Sequence, residues 1–192
     1  FAKEFPDRFF DVGIAEQHAL GVSAGLAKSG MIPIVPIYSS FYQRAYDQII
    51  HDIAIQKLHL IMCVDRAGLV GADGETHQGL LDMAFFRLIP NVTIMAPKNL
   101  KELKDMMKFA ITAYGPIVIR YPRGGEEGLI KIKSHKPMFY GKAEKLLDGK
   151  DVSIIAIGKM VERAMWVAKE LKKRGINAEV INTRFLKPID KN

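Results

Sequence analysis

Cysteine is nearly missing from this chain. Among 192 residues only Cys63 is present, so no internal disulfide can form, and the sequence points to a reducing compartment, the cytoplasm. Long apolar runs are missing too: none approaches the roughly 20 residues that a membrane-spanning helix needs. The opening Phe1-Ala2-Lys3-Glu4-Phe5-Pro6 has no apolar stretch behind a basic start, so no secretory leader is expected. Internal repeats and low-complexity tracts are also lacking. What remains is an ordinary globular composition, 48% hydrophobic and 26% charged, which excludes a disordered or fibrous chain. At 21.5 kDa there is room for a normal core, within one domain or one domain and part of another.

Charge of one sign is in excess only locally. The net charge is +7, yet residues 1–130 hold 13 basic and 14 acidic side chains, whereas residues 131–192 hold 15 and 7. The surplus is spread over lysines such as Lys131, Lys133, Lys136, Lys172 and Lys173, without interleaved aromatics or a recognisable motif. No nucleic-acid partner is expected from such a pattern.

Two kinds of segment alternate. Residues 31–38, 58–64, 92–95, 116–121, 152–157 and 178–181 are short apolar runs rich in branched side chains. They lack polar alternation, so they read as strands buried on both faces of a parallel sheet. Between them the period is helical. Asn99 is the expected N-cap of a helix that places Leu100, Leu103, Met107, Ala110, Ile111 and Tyr114 on one face. Val161, Ala164, Ala168 and Leu171 repeat the pattern, with Gly175 as the stop. The fold class is therefore α/β, a doubly wound and mostly parallel sheet followed by a partial second α/β domain. Glycines, Pro137 and the charge shift mark residues 124–141 as a break. The expected organisation is a first domain over 1–130, a linker over 131–150 and the start of a second domain over 151–192. A single strand–helix–strand unit cannot close its own core, so the second unit either packs on the first or is part of something larger.

Four polar clusters follow apolar runs. Glu16-Gln17-His18 opens a helix of small residues (Ala19, Gly21, Ala24, Gly25, Ala27), where an acid in the first turn suits the helix dipole and small side chains let a ligand or backbone approach. Ser39 to Gln48 comes next, with Phe41 and Arg44 three apart on one helical face. The loop from Asp65 to Gly79 holds glycines, Arg66, Asp73, Glu75 and His77. The alternate spacing of its last three chemistry-bearing residues suits neither a glycine loop nor a calcium loop, so no metal site is expected there. Arg120-Tyr121-Pro122-Arg123-Gly124-Gly125 reads equally as an anion site or as a salt-bridged turn. All four fall at the carboxyl edge of the inferred sheet, where open α/β sheets bind ligands.

Asp11 to His18, Tyr38 to Asp47, the Asp65 to Gly79 loop and Arg120 to Gly124 resemble the pyrimidine-binding domain of thiamine-diphosphate enzymes of the transketolase superfamily, most nearly its 1-deoxy-D-xylulose-5-phosphate synthases. The resemblance runs nearly unbroken from Phe9 to Gly124 and resumes over residues 151–190, where Thr183-Arg184-Phe185-Leu186-Lys187-Pro188 is similar to the opening of that family's C-terminal domain. It implies a transferase of the isoprenoid-precursor pathway that condenses pyruvate with glyceraldehyde 3-phosphate, using thiamine diphosphate and Mg²⁺ in a cytoplasmic homodimer. By the same resemblance Glu16 holds the pyrimidine N1′ and Phe41 stacks on the ring. Tyr38, Arg66 and Arg123 hold the acceptor's phosphate, and His77 moves or orients a proton. Arg44 and Asp73 match active-site positions of less defined role. In the family an N-terminal domain binds Mg²⁺ and the diphosphate through Gly-Asp-Gly and a later asparagine; Gly71-Ala72-Asp73-Gly74 is not that motif, so a longer parent is expected. A split transketolase half, a 2-oxo-acid dehydrogenase β subunit and a non-catalytic module of the same fold are the competing readings.

Overall fold

The computed structural model describes residues 1–125, 132 and 136–191. The expected boundary between residues 130 and 131, together with Gly128, Lys131 and Lys133, lies outside the described residues. Five strands form the main sheet: β1 (Ile34–Tyr38), β2 (Ile61–Asp65), β3 (Thr93–Met95), β4 (Ile117–Arg120) and β8 (Phe185–Lys187), in the order β1-β2-β4-β3-β8. The first four pair in parallel, and only β8 runs antiparallel, against β3.

The unbroken apolar runs have their cause in this arrangement. Met62, Val64 and Val118 pack with Leu20 and Ala24 of α1 (Glu16–Lys28), with Ile49 and Ile53, and with Phe86 of α3 (Asp82–Leu88). Ile49 and Ile53 sit on a π-helical turn, Ile49–Ala54, that continues the short α2 (Tyr46–Gln48). Ile61, Cys63, Ile117 and Ile119 pack on the opposite face with Met106 and Ala110 of α4 (Leu100–Thr112). Neighbouring strand residues thus feed two different cores, and each branched side chain contributes about 1.5–3 kcal/mol on burial. None of the described helices is long and apolar enough to cross a membrane.

The cap of α4 is as expected, with the Asn99 side chain accepting from the Glu102 N–H at 2.9 Å. Its inward face is as expected only in part: Ala110 is buried and Leu103 and Met107 pack against the core. Glu102, Met106 and Ala110 are buried, whereas Tyr114 is 93% exposed and Leu100 and Ile111 are about half exposed. The helix is turned because Glu102 is drawn inward by two cations, Lys98 and Arg184. Lys98 Nζ reaches Glu102 Oε1 and Glu144 Oε2, both at 2.7 Å. Arg184 completes a square, with Nε 2.9 Å from Glu102 and Nη2 2.9 Å from Glu144. The Asn182 amide adds contacts to both Glu102 oxygens at 3.1 and 3.2 Å. All four charges are buried, and two of each sign make the cluster neutral.

That network joins the main sheet to a second one. β5 (Glu144–Leu147), β6 (Val152–Ala156) and β7 (Ala178–Asn182) form a three-stranded sheet in the order β5-β7-β6. The parallel pair β6 and β7 is covered by α5 (Met160–Lys173), whose Val161, Ala164 and Ala168 are buried as expected. Residues 144–147, within the stretch expected as linker, form β5, antiparallel to β7 with a shifted register. Residues 185–187 likewise belong to the main sheet rather than to the second. The second unit has a small core, largely of alanine, and also packs on the first.

Candidate active site at the carboxyl edge of the sheet

Because β1, β2 and β4 are parallel, their carboxyl ends share one edge. Tyr38 ends β1 and leads into a 3-10 turn, Ser39–Ala45, that carries Phe41 and Arg44. Arg66 follows β2 in the left-handed region, at φ 53°, and turns the chain away from the sheet. Its N–H donates to Asp65 Oδ1 at 2.8 Å, a local tie that supports this backbone. The loop returns at Gly79, which exchanges hydrogen bonds with Gly68 in both directions, at 2.8 and 3.0 Å. A Cβ at Gly79 would lie 2.6 Å from the Arg66 carbonyl oxygen and 2.6 Å from Ser39 Oγ. Only glycine fits that seam between the loops after β1 and β2.

The side chains meet as one contiguous cluster. Arg44 Nη1 lies 3.4 Å from Glu16 Oε2, and its guanidinium stands 5.0 Å over the Phe41 ring. Phe41 stacks beside Tyr38 at 5.7 Å between centroids, and the His77 ring meets Phe41 edge-on at 4.9 Å. The Arg66 guanidinium sits 4.1 Å over the Tyr38 ring and pairs with Asp73. Arg123, from the loop after β4, reaches the same Asp73 Oδ1 at 2.8 Å. Every site residue anticipated from the sequence therefore lies in this one cluster: Glu16, Tyr38, Phe41, Arg44, Arg66, Asp73, His77 and Arg123.

Glu16 is the first residue of α1 and is buried, 7% exposed, where the helix dipole favours a carboxylate. The Asp73 side chain is also buried, with Oδ1 shared by two guanidinium groups and Oδ2 without a partner among the described residues. The His77 Nδ1 and the Thr76 hydroxyl share a hydrogen bond at 2.9 Å. Beneath the edge, burial pushes the Cys63 thiol up to about 11 and the Tyr121 phenol well above its usual range. Both are neutral near pH 7, so Cys63 is no thiolate nucleophile. Among the described residues no group of three or more His, Cys, Asp or Glu side chains is arranged to hold a metal ion.

Two side chains fall differently from what the sequence suggests. Arg120 is not free for an anion: its Nε and Nη2 meet the Asp82 carboxylate at 2.6 and 3.3 Å, tying the start of α3 to the end of β4. Gln78 was not anticipated. Its amide accepts from the Val70 N–H and donates to carbonyls inside the same loop. A glutamine in a polar loop gives no signal of such a task, because the partners are backbone groups whose position only the fold defines.

The transketolase pyrimidine binding domain family matches residues 1–125. This chain belongs to the transketolase family. The transketolase C-terminal domain family matches residues 141–192, so the second sheet has its relatives too. A 1-deoxy-D-xylulose-5-phosphate synthase of Halothermothrix orenii is 57% identical over 192 residues, covering 100% of this chain and 30% of its own length. The synthase of the same name from Clostridium acetobutylicum is 54% identical, with 100% and 31% covered. The transketolase-family chain thus spans under a third of the length of these curated relatives. A solved split-gene transketolase, an inactive β4 tetramer, superposes with TM-score 0.89 at 37% identity, over 99% of this chain and 61% of that one. A transketolase of Campylobacter jejuni superposes at TM-score 0.84 and 21% identity, over 95% and 29%, which supports the fold alone.

Proposed function

We propose that this chain is the pyrimidine-side portion of a thiamine-diphosphate-dependent 1-deoxy-D-xylulose-5-phosphate synthase, acting on pyruvate and glyceraldehyde 3-phosphate in the isoprenoid-precursor pathway. The observation that carries the reading is the convergence of Arg66 and Arg123, from loops after two different strands, on one oxygen. Asp73 takes one N–H from each, and each guanidinium has five donors. The remaining donors suit a phosphate oxygen, which planar forks match well. Relatives bearing the synthase name at 57% and 54% identity support the specific reaction.

The residues present fit the cofactor. Glu16 offers a buried carboxylate held by Arg44 at 3.4 Å, and Phe41 offers a ring within the same cluster. When bound, thiamine diphosphate supplies the carbanion chemistry that no side chain here can perform. Glu16 would hold the pyrimidine N1′, its carboxylate favouring the protonation state in which the cofactor is active. Phe41 would lie against the pyrimidine, and Arg44 holds Glu16 and Phe41 in register. Tyr38 packs the Arg66 guanidinium in place, so that Arg66 and Arg123 anchor the acceptor's phosphate. His77, edge-on to Phe41, transfers or orients a proton at the reacting oxygen. Mg²⁺ and the diphosphate are held outside the described residues. A homodimer in the cytoplasm completes the reading; the exposed Phe9, Phe10 and Ile14, which lead into Glu16, support a second copy covering this face.

The test is a pair of substrate titrations on the full-length enzyme. Arg66→Ala or Arg123→Ala is expected to weaken apparent binding of glyceraldehyde 3-phosphate by roughly 10- to 150-fold, the scale of a charge-assisted hydrogen bond, and that of pyruvate far less. Lysine at either position restores the charge but not the fork, and rescues in part. Equal losses for both substrates would remove the phosphate assignment. Turnover of ketose donors in place of pyruvate would move the enzyme to the transketolases proper.

A further inference from the structure

The gap between Arg66 and Arg123 depends on where Asp73 sits, and Asp73 lies on an irregular loop. From Arg66 to Gly79 the only regular element is one 3-10 turn, Glu75–His77. Such a loop needs partners for its backbone polar groups. One side chain, that of Gln78, supplies partners at Val70, Asp73 and Gly74. Gln78 Oε1 accepts from the Val70 N–H at 2.8 Å, and its Nε2 donates to the Val70 carbonyl at 3.0 Å, as a neighbouring strand would. The same Nε2 lies 3.0 Å from the Asp73 carbonyl oxygen and 3.2 Å from that of Gly74. The next residue, Gly79, is pinned to Gly68 at the loop's root. The amide of Gln78 therefore ties the part of the loop bearing Asp73 to a fixed point on the sheet edge.

We propose that Gln78 is a positioning residue for the acceptor's phosphate. It contacts neither substrate; it fixes Asp73, and Asp73 fixes the spacing of the two guanidinium groups. Without it the loop keeps its closure at Gly68 and Gly79, but Asp73 loses a backbone anchor. Two like charges then lose the carboxylate that spaces them. The inference rests on the phosphate reading given above, and it adds that specificity for the acceptor is set partly by a neutral side chain one step behind the arginines.

The experiment uses the full-length enzyme with Gln78→Met, which keeps length and apolar bulk but has no amide, and Gln78→Glu, which keeps the acceptor and loses both donors. For each, the KM for glyceraldehyde 3-phosphate is expected to rise roughly tenfold, the order of one or two neutral hydrogen bonds, while the pyruvate KM changes several-fold less. Combined with Arg66→Ala, Gln78→Met should add little to the acceptor KM, because the clamp that Gln78 serves is already broken. Fully additive effects, or equal rises in both KM values, would overturn the inference. So would failure of both variants to fold, since Gln78 would then hold the fold rather than the gap. Arg66→Ala serves as the control that separates the two readings. If it leaves the acceptor KM unmoved, the phosphate reading falls and this one with it. If it raises that KM and the Gln78 variants do not, only this inference falls.

Discussion

At the scale of the residue, Glu16 carries the largest chemical expectation. It is a buried carboxylate at a helix start with one long contact, to Arg44, so little in the chain competes for its free oxygen. Glu16→Gln keeps the shape and removes the charge. In the full-length enzyme it is expected to slow exchange of the cofactor's C2 proton by about 10²–10³-fold, the effect of removing one preorganised electrostatic partner. NMR-monitored exchange at an unchanged rate, with the circular dichroism intact, would reduce Glu16 to a helix-start acid. Tyr38, Arg44, Arg66, Asp73, His77 and Arg123 were legible because each is polar and lies at or after the end of a parallel strand. Glu16 was legible as an acid at a helix start, and Phe41 because it lies three residues from Arg44 on the turn after β1. Gln78 and Asp82 were not. Their partners are a loop backbone and an arginine 38 positions away, and neither relation leaves a trace in local spacing. Arg120 shows the same limit from the other side: a motif that fitted an anion site or a surface pair turned out to hold a helix to a strand.

At the scale of the element, the strands were legible and one helix face was not. Branched apolar runs flanked by turn residues have few alternatives to a strand. β1, β3, β4 and β6 fall within the segments that pattern marks, and β2 and β7 overrun theirs by one residue each, although β6 leaves Val152 and Ile155 exposed rather than buried on both faces. Periodicity assumes that apolar side chains point inward, and α4 breaks that assumption by burying Glu102. β5 was hidden for the same reason, since Glu144 reads as surface and is in fact fully buried. β8 was hidden by brevity. Its hold on the main sheet depends on Phe185, which is fully buried and meets Phe109 and Tyr140 edge-on at 5.9 and 6.0 Å. Phe185→Ala is expected to cost about 3–5 kcal/mol, as other large core truncations do. Urea denaturation of the 192-residue chain measures it; a loss below about 1 kcal/mol would mean that β8 is held by its backbone pairing alone.

At the scale of the whole molecule, the function proposed above gives this chain the pyrimidine side of a two-sided cofactor site. Isolated residues 1–192 are therefore expected to show no tight, Mg²⁺-dependent binding of thiamine diphosphate by calorimetry, and no turnover. Tight binding would mean that diphosphate ligands exist within this chain, and the division of labour proposed above would fail. The two units that the families separate are joined physically by the Lys98, Glu102, Glu144 and Arg184 square, with two members contributed from each side of residues 126–135. Removing one partner of such a buried set typically costs 3–5 kcal/mol, because the charge left behind has no water to turn to. Inheritance is constrained accordingly. A crossover between relatives that joins one protein's first unit to another's second succeeds only if both parents place the same signs at these positions. Chimeras that respect the square should melt near their parents, and those that mismatch it should melt well below them, whatever their similarity elsewhere.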